Sequence, residues 1–322
     1  MDSIARMKRF FRGRSAARLE VAVWIFALFV LFSGDAFAWG PATHSLLTSW
    51  VVDGTIALPA ALYSLVRRFR LDFLYGSLAP DVIVAKSFCE ESQHCHRWDN
   101  GFRILHAARD DAERAFALGY LAHLAADVVA HNRFVPERMR RLRLPSGLAH
   151  AYIEMRADDR VDYRHWDATR RIGRARERRH DRLLNSVLTM TLLPYGANKA
   201  IFTGLSLLSK RRAYRAILRR AGESSRRLPI ARSEIEPYHR ESALRIESVL
   251  ARLDRSEVLS EDPIGRAALA NAVAERRRDR DRAGIVSRSM TAFLVWRELS
   301  RENEAERTRW RSARSARRPP ER

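Results

Sequence analysis

Cysteine is nearly missing from this 322-residue chain: Cys89 and Cys95 are the two it has, both within Cys89-Glu90-Glu91-Ser92-Gln93-His94-Cys95-His96. One disulfide is therefore the most the chain can form by itself. Two readings of the pair stay open, a small loop closed in an oxidising compartment or two thiols that are close only in sequence. Two-residue alternation of apolar side chains is almost absent as well, which argues against sheets. There is no internal repeat, no glycine-rich phosphate loop and no serine-nucleophile elbow, so nucleotide chemistry of the P-loop kind and acyl transfer through that elbow have no foothold. Long hydrophobic runs are lacking too. The longest, Val21 to Phe32, has 12 residues and gives way to Ser33, Gly34 and Asp35, whereas a spanning helix needs about 20.

That short run has another reading. It follows a basic segment with Arg6, Lys8, Arg9, Arg12, Arg14 and Arg18 and precedes Ala36-Phe37-Ala38, the small-residue pattern of a signal-peptide cleavage site. Residues 1–38 are read as a signal peptide, with an N-terminal anchor as the alternative. The protein is then exported to the periplasm or the medium, with membrane association as a further option. Cleavage after Ala38 would leave Trp39 with a free amine. The segment Trp39-Gly40-Pro41-Ala42-Thr43-His44 could then offer an amine, a carbonyl and an imidazole to one metal ion, ligand types that suit zinc.

Acidic residues are in short supply against basic ones, 38 against 59, for a formal net charge of +21. The balance favours anionic partners such as phospholipid headgroups, nucleic acid and other phosphate esters, without choosing among them. From Glu298 onward arginine, glutamate, serine and alanine dominate, and 298–322 reads as a disordered tail. The chain is expected to hold a signal peptide over 1–38, one helical domain over 39–297 and that tail.

Apolar residues recur at three- and four-residue spacing, as in Phe116, Leu118, Tyr120, Leu121, Leu124 and Val128, and the fold class is read as all-α. Helices are expected near 42–52, 59–75, 98–110, 112–133, 147–165, 180–192, 197–219, 236–254, 262–279 and 285–300. Pro80, Pro136, Pro145, Pro194 and Pro229 are expected to punctuate them. The apolar stretch Leu183 to Leu208 reads as core helices broken at Pro194 and Gly196 rather than as a bilayer-surface element.

Chemistry concentrates in His123-Leu124-Ala125-Ala126-Asp127-Val128-Val129-Ala130-His131. Ligand types at i, i+4 and i+8 share one face of an α-helix. The rise from His123 to His131 is about 12 Å, while a nitrogen must come within about 2.1 Å of zinc. The two histidines cannot easily serve one ion, and a carboxylate at Asp127 could bridge two closely spaced metals or stand between separate sites, which suggests a multinuclear centre. His150 and Glu154 repeat the i, i+4 unit. Asp81 and His96 complete the set, with His94 and then His106 as substitutes for His96, while His165, His180 and His239 read as surface or core.

Taken together, Trp39-Gly40 with His44, Gly76 to Asp81, His96 to Trp98, Gly119 to His131 and His150 to Glu154 resemble the zinc-dependent phospholipase C family, which shares its helical fold with the S1/P1 nucleases. The resemblance runs from Trp39 to about Asp162. It implies a multi-helix phospholipase C/P1 nuclease-like domain holding up to three Zn2+ ions. One ion would be bound by Trp39, His44 and Asp127, a second by Asp81, His96, His123 and Asp127, and a third by His131, His150 and Glu154. Asp81 would also orient the attacking water. In the well-studied secreted members the last histidine of the helical motif lies farther from the bridging aspartate than His131 does from Asp127. The implied activity is hydrolysis of phospholipid headgroup esters, with peripheral membrane contact. An S1/P1-like nuclease is the second choice, though an aspartate is usual there at the position of Glu154. A non-catalytic, membrane-associated metal-binding protein is the third.

Overall fold

The computed structural model describes residues 39–83, 94–142, 144, 146–166, 178–188, 195–196, 198–199 and 230–282. The signal-peptide segment, Cys89 and the arginine-rich tail lie outside them, as do the helix expected at 285–300 and most of that at 197–219. Among the described residues the structure is all-α, with no strand. In chain order the helices are α1 (Pro41–Val52), α2 (Ala60–Arg68), α3 (Arg70–Gly76), α4 (Ala79–Val82), α5 (Trp98–Ala107), α6 (Asp111–Val129), α7 (Val135–Arg141), α8 (Ser146–Asp158), α9 (Arg178–Val187), α10 (Arg232–Arg252) and α11 (Arg266–Arg282). A π-turn, Ala130–Phe134, joins α6 to α7. None of these helices is long and apolar enough to cross a membrane.

Helix α6 is the spine. Asp110 caps it by accepting a hydrogen bond from the Glu113 amide at 2.8 Å, satisfying one of the first-turn donors that a helix leaves unpaired. From Ala115 to Val129 every residue is buried, because α3, α10 and α5 pack round it, with α1 beside them. Small residues allow the closest of these approaches. A β-carbon on Gly119 would stand 2.0 Å from the Phe73 carbonyl oxygen, and one on Gly76 1.9 Å from that of Phe116. Only glycine lets the α3 and α6 backbones come this near. Phe73, Phe116, Leu121, Leu124 and Phe134 fill the surrounding core, each contributing about 1.5–3 kcal/mol through burial.

Three expected helices differ from the structure, and that over 147–165 ends at Asp158, ahead of a non-helical stretch at 159–162. The single helix expected over 59–75 is broken at Phe69, whose φ of −109° and ψ of 40° are not helical. The break turns α3 onto α6, a tertiary contact that periodicity does not register. The helix expected over 112–133 ends as α-helix at Val129 and continues through the π-turn. Pro136, expected as punctuation, instead lies at the second position of α7 directly after the π-turn, and the helical path runs on through it. In the described part of the Leu183 to Leu208 stretch, Leu183, Leu184, Val187 and Leu188 are buried in the core cluster.

Candidate metal centre

His123 and Asp127 lie toward the C-terminal end of α6 with no solvent exposure. Groups of this kind are costly to bury unless their charge and hydrogen bonds are met. Partners arrive from three other elements: His44 from α1, Asp81 from α4, and His96 from the turn just before α5. His44 stacks on His123 with ring centroids 3.8 Å apart.

The two oxygens of Asp127 face different partners. Oδ1 lies 3.1 Å from His44 Nε2, while Oδ2 lies 3.2 Å from His96 Nε2 and 3.0 Å from His123 Nε2. Asp81 sits across from it, with Oδ1 at 3.5 Å from His96 Nε2 and 3.8 Å from His123 Nε2, and Oδ2 at 4.0 Å from His44 Nε2. Two tight sets of potential ligands result round Asp127, His44 with His123 and Asp127, and Asp81 with His96 and His123, and His94, Cys95 and His96 make a third beside them; within each the ligand atoms lie within 4.8 Å of one another.

Backbone carbonyls settle which ring nitrogen faces inward. A carbonyl can only accept, so His123 Nδ1 donates to the Ser77 carbonyl at 2.8 Å, and His131 Nδ1 to the Pro263 carbonyl at 2.6 Å. Each neutral ring then presents Nε2 as a lone pair, the arrangement that orients a metal-binding imidazole. Among the described residues, His44 Nε2, both Asp127 oxygens and His131 Nε2 are buried without a well-formed hydrogen bond. Buried polar atoms left in this state ask for an ion or a water, and imidazole with carboxylate is a donor set that fits zinc. Burial pushes the His44 imidazole below its usual pKa, with His123 adding to the effect and Asp127 opposing it. Burial also pushes the Asp127 carboxyl up, but His123 and His44 outweigh it and hold the group well below the usual carboxylate range.

His131 stands apart from His123. The π-turn carries it toward α8, where its ring meets that of His150 edge-on at 5.4 Å. His150 Nε2 lies 3.1 Å from Glu154 Oε1 on the same helix. These three neighbour one another more loosely than the two tight sets do. Gly265, at φ 64°, presses on His131, since a β-carbon there would fall 2.5 Å from the His131 β-carbon.

Trp39 is wholly buried as an indole. Its Nε1 donates to Ser242 Oγ at 3.1 Å, and its ring stacks on Phe134 at 4.7 Å. Among the reserve histidines, His94 Nδ1 accepts the backbone N–H of His96 at 3.1 Å, which directs that nitrogen to the chain itself. His106 is exposed near the end of α5. His165, His180 and His239 are all buried, and His180 is tied to Asp72 at 2.6 Å. Cys95 is buried, while its neighbour in sequence, Cys89, lies outside the described residues.

Several functional groups had no sequence signature. The Ser77 and Pro263 carbonyls are main-chain atoms, and residue type says nothing of where they point. Asp158 is different: it follows His150 and Glu154 at the same four-residue interval that links His123, Asp127 and His131, so the pattern was there to be extended.

The family model described as zinc dependent phospholipase C matches residues 43–193. The match contains His44, Asp81, His96, His123, Asp127, His131, His150 and Glu154. No curated protein and no solved structure matches the chain.

Proposed function

Since the segment 43–193 belongs to the zinc-dependent phospholipase C family, we propose that this protein hydrolyses a phosphodiester bond of a phospholipid, splitting it into a diacylglycerol and a phosphorylated headgroup. The observation that carries this reading is the division of Asp127, with Oδ1 toward His44 and Oδ2 toward His96 and His123. A carboxylate so placed is suited to bridge two ions.

Trp39, through its amine and carbonyl, would hold one zinc ion together with His44 and Asp127. Asp81, His96, His123 and Asp127 would hold a second, and His131, His150 and Glu154 a third. When bound, zinc supplies a nucleophilic water at neutral pH and neutralises charge on the phosphoryl oxygens. The chain's own part is orientation. The Ser77 and Pro263 carbonyls keep the His123 and His131 rings in the tautomer that presents Nε2. Asp81 would orient the attacking water and offer a carboxylate oxygen to its proton. The buried surroundings of α6 exclude competing solvent and strengthen each of these interactions.

The protein acts after export, to the periplasm or the medium, with residues 1–38 removed so that the Trp39 amine is available. Without residues 1–38 the chain keeps a net charge of +18, which supports peripheral contact with anionic bilayers. The same charge favours nucleic acid and sustains the S1/P1-like nuclease as a second reading. Purified mature protein should be assayed on mixed phospholipid vesicles and on single-stranded DNA at matched salt, with a chelator control and metal analysis. Chelator-sensitive release of phosphorylated headgroup supports the phospholipase. Cleavage of DNA alone makes it a nuclease, and inactivity on both at full metal occupancy leaves a metal-binding protein.

A further inference from the structure

Helix α1 begins without a cap of its own. Its N-cap residue is Gly40, which has no side chain, and its first helical residue is Pro41, which has no N–H. The two following amides are met from another helix. Asp158, on the last turn of α8, accepts the Ala42 amide at Oδ2 (3.0 Å) and, at Oδ1, the Thr43 amide (2.9 Å) and the Thr43 hydroxyl (2.6 Å). A carboxylate at a helix N-terminus also meets the positive end of the helix dipole. The absence of a side chain at Gly40 is itself required, because a β-carbon there would lie 2.3 Å from Asp158 Oδ2. The group is 1% exposed, so water does not share these bonds.

What this turn carries gives the contact its meaning. Trp39 immediately precedes Gly40, and His44 follows Thr43. On the α8 side, His150, Glu154 and Asp158 recur at four-residue intervals on one helix face. The same face that presents His150 and Glu154 thus ends by gripping the turn that presents Trp39 and His44. The Trp39 indole is held from the opposite side by Ser242 and Phe134.

We propose that Asp158 is a positioning residue that supplies the cap Gly40 cannot, and so fixes the Trp39–His44 turn for the ion bound there. The proposal rests on reading these residues as metal ligands. Residues that orient ligands typically change metal affinity 10- to 100-fold when lost. Asp158→Asn keeps the shape but turns an amide N–H₂ toward N–H donors. Thr43→Val removes one donor and leaves the carboxylate with two, whereas Thr43→Ser retains all three.

Cobalt(II) titration of the metal-free mature protein, followed by visible absorption, reads each binding step separately from activity. Asp158→Asn should weaken one step per chain by about tenfold, and Thr43→Val by about threefold, with the remaining steps close to the parent, while the metal-free form of Asp158→Asn also melts at a lower temperature because the buried cap is lost. Thr43→Ser should match the parent. Coincident titrations for the parent, Asp158→Asn and Thr43→Val overturn the proposal. If Asp158→Asn does not fold, the comparison of Thr43→Val with Thr43→Ser decides, and equal titrations for that pair overturn it too. A parent chain that takes up no cobalt sinks the metal-centre reading and this inference together, whereas a binding parent with unaltered variants sinks the inference alone.

Discussion

The Phe73 carbonyl oxygen occupies the place beside Gly119 where a side chain would begin, 2.0 Å from an added β-carbon. Since the next turn of α3 leads to Ser77, whose carbonyl orients His123, this backbone approach sets both the core and the ring. Gly119→Ala should cost roughly 3 kcal/mol or more, beyond the usual overpacking penalty because backbone must move. Gly76→Ala should behave alike, and the double variant should fall short of the sum because the two sites share one contact. Urea unfolding of the four proteins checks this; a loss under about 0.5 kcal/mol for either single variant contradicts the tight approach.

Asp127 lies within 3.2 Å of His44, His96 and His123, which span both tight ligand sets, whereas Glu154 pairs with His150 on its own helix. Asp127→Asn should therefore retain less zinc per chain than Glu154→Gln after dialysis against a weak chelator. Equal metal content in the parent and both variants would remove the shared-carboxylate arrangement.

Gly265 takes a left-handed backbone conformation and touches His131 at once. Gly265→Ala combines conformational strain with a clash, so a loss of about 2 kcal/mol in stability is expected. His131 Nδ1 would also be drawn off the Pro263 carbonyl, and the variant should bind one zinc ion more weakly. Thermal denaturation with and without added zinc separates the two effects: the stabilisation by zinc should shrink in the variant.

Asp72 links α3 to α9 by accepting from His180 Nε2 at 2.6 Å and Arg179 Nη2 at 2.9 Å. Burial raises its pKa, but these partners outweigh burial and hold it below the usual carboxylate range. A carboxylate depressed on folding stabilises above its unfolded pKa and loses that contribution as pH falls through the folded value. The stability gap between the parent and Asp72→Asn should hold steady at neutral pH and close as the pH drops below about 4. A gap that widens on acidification would reverse the sign assigned here.

Helical periodicity reached the fold class and most helices because α-helix burial repeats every three to four residues, but it joined α2 to α3 across Phe69. That break is imposed by packing on α6, and no local residue announces it. For the centre, the spacing of His123, Asp127 and His131 already implied that the two histidines point to different partners. Asp81 and His96 are brought in by tertiary structure, and the resemblance supplied what spacing could not. Asp158 escaped notice because aspartate at the end of a helix reads as ordinary surface charge until Gly40 and Thr43 come to lie against it.

The π-turn at Ala130–Phe134 closes with the Val135 amide on the Ala130 carbonyl, five residues back rather than four. A turn of this kind holds one more residue than the regular helix. Removing a single residue here would restore an ordinary helix and swing everything downstream by about 100° relative to everything upstream. Chain length in this stretch therefore sets the direction in which α7 leaves the π-turn that carries His131.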